Sequence, residues 1–146
     1  EKRKEITTEG GLNLNHNKIF LKILINKLKN IKLRVSLFIE PNLKDLEKAK
    51  KLNVDCVEIH TGKLCNLINK KKNYKNELKR IKKAVLKGNK LGLEVHAGHG
   101  LTYESAKILA KINGIQEFNI GHFLVGESIF EGMPFTIKKF KNILKS

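Results

Sequence analysis

Three clusters of polar residues and glycines have the residue types needed for chemistry on a small polar ligand. Their sequences are E-K-R-K-E-I-T-T-E-G-G (1–11), V-E-I-H-T-G (57–62), and A-G-H-G-L-T (97–102) paired with N-I-G-H (119–122). Imidazole and carboxyl groups can transfer protons, and neighbouring glycines let the backbone turn sharply and approach a ligand. The spacing therefore predicts a binding site assembled from several segments.

The third cluster offers a general acid or base and a place for an anion. His99 lies between Gly98 and Gly100, and an imidazole titrates near neutral pH, although a simple loop or capping role is the alternative. Gly100 and Gly121 would let backbone amides approach a phosphate, and segment 123–130 would form a short helix whose N-terminus binds it. Ordinary turn chemistry is the competing interpretation of these glycines.

The remaining titratable residues are less specific. Glu58 is expected to point inward near the end of its strand, as a carboxylate that orients substrate or as the structural partner of an arginine. His60, His96 and His122 fit either a catalytic or a structural role. No set of His, Cys, Asp and Glu has the spacing of a closed metal site, and no Ser/His/Asp constellation is evident. We therefore predict no metal.

Alternating strands and helices must position these clusters. Apolar runs rich in β-branched residues are each followed by a polar stretch with helical spacing, which predicts an α/β fold with a parallel sheet. The predicted strands are 33–39, 54–60, 91–97 and 117–121, and the predicted helices are 18–30, 43–52, 75–89, 103–112 and 135–144.

The strands predict a (β/α)8 TIM barrel. Val57 and Ile59 alternate with Glu58 and His60, and the first run has an apolar row that includes Leu33. A doubly wound sheet is covered on both faces and would be apolar on both, whereas a barrel interior can become polar towards its catalytic mouth. Residues 1–146 are expected to be one partial domain, about the C-terminal half of a barrel with four βα units. The other strands would lie upstream or in a second half.

Composition argues against a nucleic-acid partner. The formal net charge of +16 comes from 27 Lys and 3 Arg, a bias typical of solvated surfaces encoded by an AT-rich genome. A nucleic-acid site would favour arginine forks and aromatic faces, so a Lys-rich nucleic-acid-binding module is only an alternative. Segment 70–83 is expected to be a solvated helix face and its lead-in.

Location is predicted from what the chain contains. It has no signal-peptide pattern and no apolar run of membrane-spanning length, and Cys56 and Cys65 lack the spacing of a disulfide framework or metal site. We expect a cytoplasmic protein with free thiols and no membrane partner.

Five motifs occur in the same order as in a known family. E-K-R-K-E-I-T-T-E-G-G, V-S-L-F-I-E, E-I-H-T-G, A-G-H-G-L-T-Y and N-I-G-H resemble those of the pyridoxine 5'-phosphate synthase family along the whole chain. The resemblance implies a homo-oligomeric, typically octameric barrel that condenses 1-deoxy-D-xylulose 5-phosphate with 3-amino-2-oxopropyl phosphate. The products would be pyridoxine 5'-phosphate, phosphate and water, formed without a metal or organic cofactor.

The resemblance also implies roles for individual residues. His99 would be the proton donor, and Gly100, Gly121 and His122 would bind 3-amino-2-oxopropyl phosphate. Thr7 would contact deoxyxylulose phosphate.

Glu58 matches a polar position that lines the same cavity. Further acid and base groups, a His and a Glu, would come from strands that precede residue 1, so residues 1–146 alone are expected to be inactive. The alternatives are another phosphate-binding barrel enzyme acting on sugar phosphates, or a non-catalytic remnant. A Schiff-base aldolase would need an interior Lys, and the inward strand positions have none.

Overall fold

The computed structural model describes residues 10–16 and 18–145. Their strands form one four-stranded parallel sheet in which neighbours in sequence are neighbours in space, in the order β1-β2-β3-β4. The strands are β1 (Ser36–Ile39), β2 (Cys56–His60), β3 (Glu94–Gly98) and β4 (Glu117–Asn119). The predicted α/β class with a parallel sheet is confirmed.

Helices connect and flank these strands. They are α1 (Lys18–Asn30), α2 (Leu43–Lys51), α3 (Gly62–Asn69), α4 (Lys75–Lys90), α5 (Tyr103–Leu109), α6 (His122–Glu131) and α7 (Met133–Lys145). Right-handed crossovers between successive parallel strands place their helices on one face of the sheet. The sequential strand order also lacks the reversal of a doubly wound sheet. The arrangement is consistent with part of a TIM barrel.

The two faces of the sheet differ as the alternation predicts. Ile39, Val57, Ile59 and Val95 belong to the buried core, which also contains residues of α2, α3, α4 and α5. The opposite face carries the polar positions, among them half-buried Glu58. This separation leaves polar groups on the face away from the helices.

The predicted strands were too long at their amino ends. Leu33 was assigned to the apolar row of the first strand, but it is 51% exposed and its N–H donates to Leu28 O at the end of α1. Asn53 and Gly92 adopt positive φ angles just before the second and third strands. These turns delay the start of each strand, and β4 ends two residues before the predicted boundary at 121.

Helix α3 was missed. Its buried residues Leu64, Cys65 and Ile68 have helical spacing, but the Thr-Gly that precedes them resembles a turn. The helix predicted over 123–130 is confirmed as α6, and the predicted helix over 103–112 ends earlier, at Leu109.

Surface features of the described chain match two expectations. The seven lysines of segment 70–83 are all exposed, as predicted; they are Lys70, Lys71, Lys72, Lys75, Lys79, Lys82 and Lys83. Within residues 10–16 and 18–145, no helix is both long enough and apolar enough to cross a bilayer.

Candidate active site at the carboxyl edge of the sheet

The carboxyl ends of β3 and β4 bring four predicted site residues together. His99, Gly100, Gly121 and His122 line one open cavity of about 650 Å³. A second cavity of about 480 Å³ lies beside it and is lined by residues that include His60, His99 and Gly100. His99 and Gly100 therefore border both cavities.

The turn that carries His99 is fixed by the end of β2. His99 has a φ of 76°, a left-handed conformation that is rare for a residue with a side chain. The buried Thr61 Oγ1 lies 2.7 Å from Gly98 O and 2.8 Å from His99 O, so its single proton is shared between these carbonyls. The Thr61 N–H also donates to Gly98 O at 2.8 Å. The E-I-H-T-G motif thus holds the A-G-H-G turn in place.

Glycines are needed where the two turns meet. A Cβ on Gly62 would be 2.6 Å from His99 Cδ2 and 2.8 Å from His60 Nε2, closer than real Cβ contacts. Gly100 has a φ of 75°, and a Cβ there would be 3.2 Å from Cys65 Cβ. Gly62 therefore leaves no room for a side chain, and at Gly100 the positive φ and the close Cys65 side chain both disfavour one.

The three histidines that sequence left ambiguous separate clearly. The His60 ring centroid is 4.7 Å from that of His99. His122 lines the larger cavity. His96 Nε2 is 2.8 Å from Glu94 Oε1, and His96 lines neither cavity. These contacts indicate a structural role for His96.

His60 sits in a pair with Glu40, which sequence reasoning did not identify as a site residue. His60 Nδ1 is 2.9 Å from Glu40 Oε1, an ion-pair distance without hydrogen-bond alignment. Burial lowers the pKa of His60, and Glu40 opposes this effect. The net effect favours the neutral form of the ring. The only sequence signal was that V-S-L-F-I-E ends at Glu40.

Glu58 lies deeper on the polar face of the sheet. It is opposite Phe38 on β1 and His96 on β3, and its carboxylate occupies the space that a Cβ on Gly98 would need. Burial raises the pKa of Glu58, while a hydrogen bond from Asn119 acts in the opposite direction. Glu58 does not itself line the larger cavity, but Asn119 does.

The start of α6 is open. Gly121 is the N-cap of this helix, and a Cβ on it would meet no atom within 4 Å. The first N–H groups of a helix have no partner within that helix, and its N-terminus carries a partial positive charge. The start of α5 is different, because the Thr102 side chain caps it by accepting the Ser105 N–H.

Thr7 lies outside the described residues, and its contact with a substrate stays a prediction. The segment that follows it is described from Gly10 onward. Gly11 N donates to Glu40 Oε1 at 3.2 Å, and Leu12 N donates to Phe38 O at 2.7 Å. The end of the T-T-E-G-G motif therefore lies against the end of β1.

Comparison with protein families identifies the group to which these motifs belong. The model of the family described as "Pyridoxal phosphate biosynthesis protein PdxJ" matches residues 1–146. The chain belongs to the PdxJ family. The resemblance inferred from the five motifs is confirmed.

Curated PdxJ relatives extend this result. The chain is 58% identical over 143 residues to the pyridoxine 5'-phosphate synthase of Pelagibacter ubique (strain HTCC1062). The match covers 98% of this chain and 60% of the relative. The synthase of Sulfurihydrogenibium sp. (strain YO3AOP1) is 43% identical over 99% of this chain and 58% of the relative. The synthase of Syntrophotalea carbinolica (strain DSM 2380 / NBRC 103641 / GraBd1) is 44% identical, and the match covers 99% of this chain and 60% of the relative. This PdxJ-family chain thus spans about 60% of the length of these relatives.

Proposed function

We propose that the chain is part of a pyridoxine 5'-phosphate synthase with a (β/α)8 barrel. The enzyme condenses 1-deoxy-D-xylulose 5-phosphate with 3-amino-2-oxopropyl phosphate, and it releases pyridoxine 5'-phosphate, phosphate and water. The observation that carries the proposal is the convergence of His99, Gly100, Gly121 and His122 on one cavity in a PdxJ-family chain.

His99 donates a proton in this reaction. Its imidazole borders the cavity, and a ring nitrogen of an imidazole can donate or accept a proton. The backbone around Gly100 and Gly121, the start of α6 and His122 bind the phosphate of 3-amino-2-oxopropyl phosphate. Free N–H groups at a helix N-terminus suit a phosphate, and the space around Gly121 leaves room for its oxygens.

Glu58 and Thr7 complete the contribution of this chain. The raised pKa of Glu58 makes its carboxyl easier to protonate than an exposed one, which suits a group that faces a reaction with several proton transfers. Thr7 contacts deoxyxylulose phosphate. Ring closure by proton transfer and loss of water needs no organic cofactor. A Schiff-base aldolase is disfavoured because the inward positions of the four described strands carry no Lys.

The proposal extends to assembly and location. β1 and β4 are edge strands of the described sheet, and further strands would pair with them to close the barrel. The complete enzyme is a homo-oligomer, an octamer as the family resemblance implies. Cys56 and Cys65 are free and buried, which supports a cytoplasmic location. The exposed lysines serve solvation rather than nucleic-acid binding.

The first test is complementation. Residues 1–146 are assayed alone and together with the segment of a relative that they do not cover, and pyridoxine 5'-phosphate is measured. We expect product only from the mixture, because this chain holds about half of the active site. Robust turnover by residues 1–146 alone would contradict the half-site proposal, and no product in either arm would contradict the assigned activity.

The second test uses variants of the complemented enzyme. His99→Asn should lower turnover by about 10²- to 10⁴-fold, the usual value of a positioned acid or base. Gly121→Val should raise the KM for 3-amino-2-oxopropyl phosphate. Thr7→Ala should instead weaken the binding of deoxyxylulose phosphate. Gly126→Val is the matched control, because Gly126 also has open space but lies further along α6. Equal titrations of Gly121→Val and Gly126→Val would refute the phosphate assignment.

A further inference from the structure

A buried histidine that the proposed reaction does not use lies beside His99. His60 is 6% exposed, and within the described residues neither of its ring nitrogens has an aligned hydrogen bond. Nδ1 faces Glu40 at 2.9 Å, and Nε2 lies against Gly62. Leaving buried polar atoms without aligned partners costs free energy. An arrangement with that cost needs a reason.

Glu40 is itself held by other groups. Its Oε1 accepts the Gly11 N–H at 3.2 Å, and its Oε2 is 3.3 Å from Arg80 Nη2. Arg80 in turn donates to Glu77 at 2.7 Å from its own helix, α4. A carboxylate can only accept hydrogen bonds, so a fixed Glu40 favours the His60 tautomer that carries its proton on Nδ1.

The His60 ring is also fixed by its aromatic neighbours. Phe38 packs edge-on against it with ring centroids 5.2 Å apart, and His99 lies on another side at 4.7 Å. The ring centroids of Phe38 and His99 are 6.2 Å apart, so the three rings form one cluster. Any movement of the His60 ring, or any change in its charge, would therefore change the packing or the electrostatic surroundings of His99.

We propose that Glu40 and His60 form a positioning pair for His99. Glu40 selects the neutral Nδ1–H tautomer of His60, and the His60 ring then fixes the His99 imidazole without opposing a proton on it. The proposal rests on the assigned role of His99 as proton donor. Among residues 10–16 and 18–145, the charged or titratable groups that face His60 are Glu40 after β1, Arg80 on α4 and His99 after β3.

Burial supports this picture. It lowers the pKa of His60 and so favours the neutral ring, whereas a charged His60 would repel a positive charge on His99. Glu40→Gln keeps the shape but introduces an amide that can donate as well as accept, so the tautomer is no longer selected. Glu40→Asp keeps the carboxylate and serves as the conservative variant.

The direct test is the tautomer of His60, read from ¹⁵N shifts in solid-state NMR of the complete, histidine-labelled protein at neutral pH. We expect a protonated Nδ1 and an unprotonated Nε2, retained in Glu40→Asp and lost or mixed in Glu40→Gln. An Nε2–H tautomer in the parent protein, or an identical spectrum in Glu40→Gln, would overturn the proposal. This measurement does not depend on the reaction assigned to the enzyme.

The kinetic test separates positioning from simple stability. Glu40→Gln should lower kcat by about 10- to 100-fold with little change in KM, as for a displaced catalytic group, and Glu40→Asp should recover most of it. Glu47→Gln is the matched control, because Glu47 is a more exposed carboxylate paired with Lys87 away from the site. An unchanged kcat in Glu40→Gln would overturn the proposal. Absence of product from the parent enzyme would refute the proposed function, and the NMR result would still decide the Glu40–His60 pairing.

Discussion

Two neighbouring regions of the carboxyl edge use glycine in opposite ways. The crowded edge consists of residues 10–12, 60–62 and 98–100, and the open edge consists of residues 119–123. In the crowded edge, a Cβ on Gly11 would collide with the backbone of Glu40 and would lie 2.8 Å from Ile39 Cα. In the open edge, a Cβ on Gly121 would meet nothing within 4 Å.

This difference separates two tasks within one site. In the crowded edge, Gly11 and Gly62 have no room for a Cβ, so the backbone segments and the His60 and His99 rings pack closely. This close packing holds a reactive group in one position. The open edge leaves space in front of the start of α6, a helix without a buried residue among those described. The segments around the proposed acid are therefore tightly packed, whereas the proposed phosphate site has free space.

The largest effect that would test this comparison is expected from Gly11→Ala. Its Cβ meets backbone, which cannot rotate away as a side chain can, so we expect a loss of about 3 kcal/mol in the free energy of unfolding, at the upper end for overpacking. Urea unfolding of the parent and variant measures the change. A loss below about 1 kcal/mol would mean that the crowded edge relaxes easily.

A smaller loss is expected from Thr61→Val, which keeps the shape but removes the hydroxyl that serves Gly98 O and His99 O. Gly98 O keeps the Thr61 N–H, but the part-buried His99 O loses its hydroxyl donor, which should cost about 1 to 2 kcal/mol. Thr136→Val is the control, because Thr136 Oγ1 only back-bonds to Gly132 O, which also accepts the Thr136 N–H. Equal losses in both variants, measured by urea unfolding, would remove the special role of Thr61.

Acidification should weaken the crowded edge through His60. Its pKa is lowered in the folded state, so below the ordinary histidine value of about 6.5 the unfolded chain binds the proton more readily. Above that pH both states are neutral and the term vanishes. Stability should therefore fall from pH 7 to pH 5, and His60→Gln should reduce that slope. Equal slopes in the parent protein and in His60→Gln, measured by urea unfolding at pH 7 and pH 5, would contradict the assignment.

The smallest effect is expected from Gly121→Ala. The added methyl group has open space and the backbone φ of −117° suits any residue, so the free energy of unfolding should change by less than about 0.5 kcal/mol. Thermal or urea unfolding would check this. A loss as large as that of Gly11→Ala would show that the open edge is crowded in the complete protein.

Local patterns were sufficient to predict much of this molecule. The alternation of Val57 and Ile59 with Glu58 predicted which face is buried, and the parallel α/β sheet followed from alternating periodicities. Thr102 was recognisable as an N-cap because capping depends on residues within one helical turn. The glycines and histidines at the strand ends were visible because parallel strands bring their carboxyl ends to one edge.

Contacts between distant segments decided the rest. The pairing of Glu40 with His60, and of Thr61 with the turn at His99, joins residues 20 and 38 positions apart. Leu33 is apolar yet exposed, and α3 begins at a glycine, because tertiary packing overrode the local preference. The sequence alone determined which residues could react and which strand faces are buried, since these depend on residue type and period. Only the tertiary structure decided which side chains touch, because that depends on how strands far apart in the chain align.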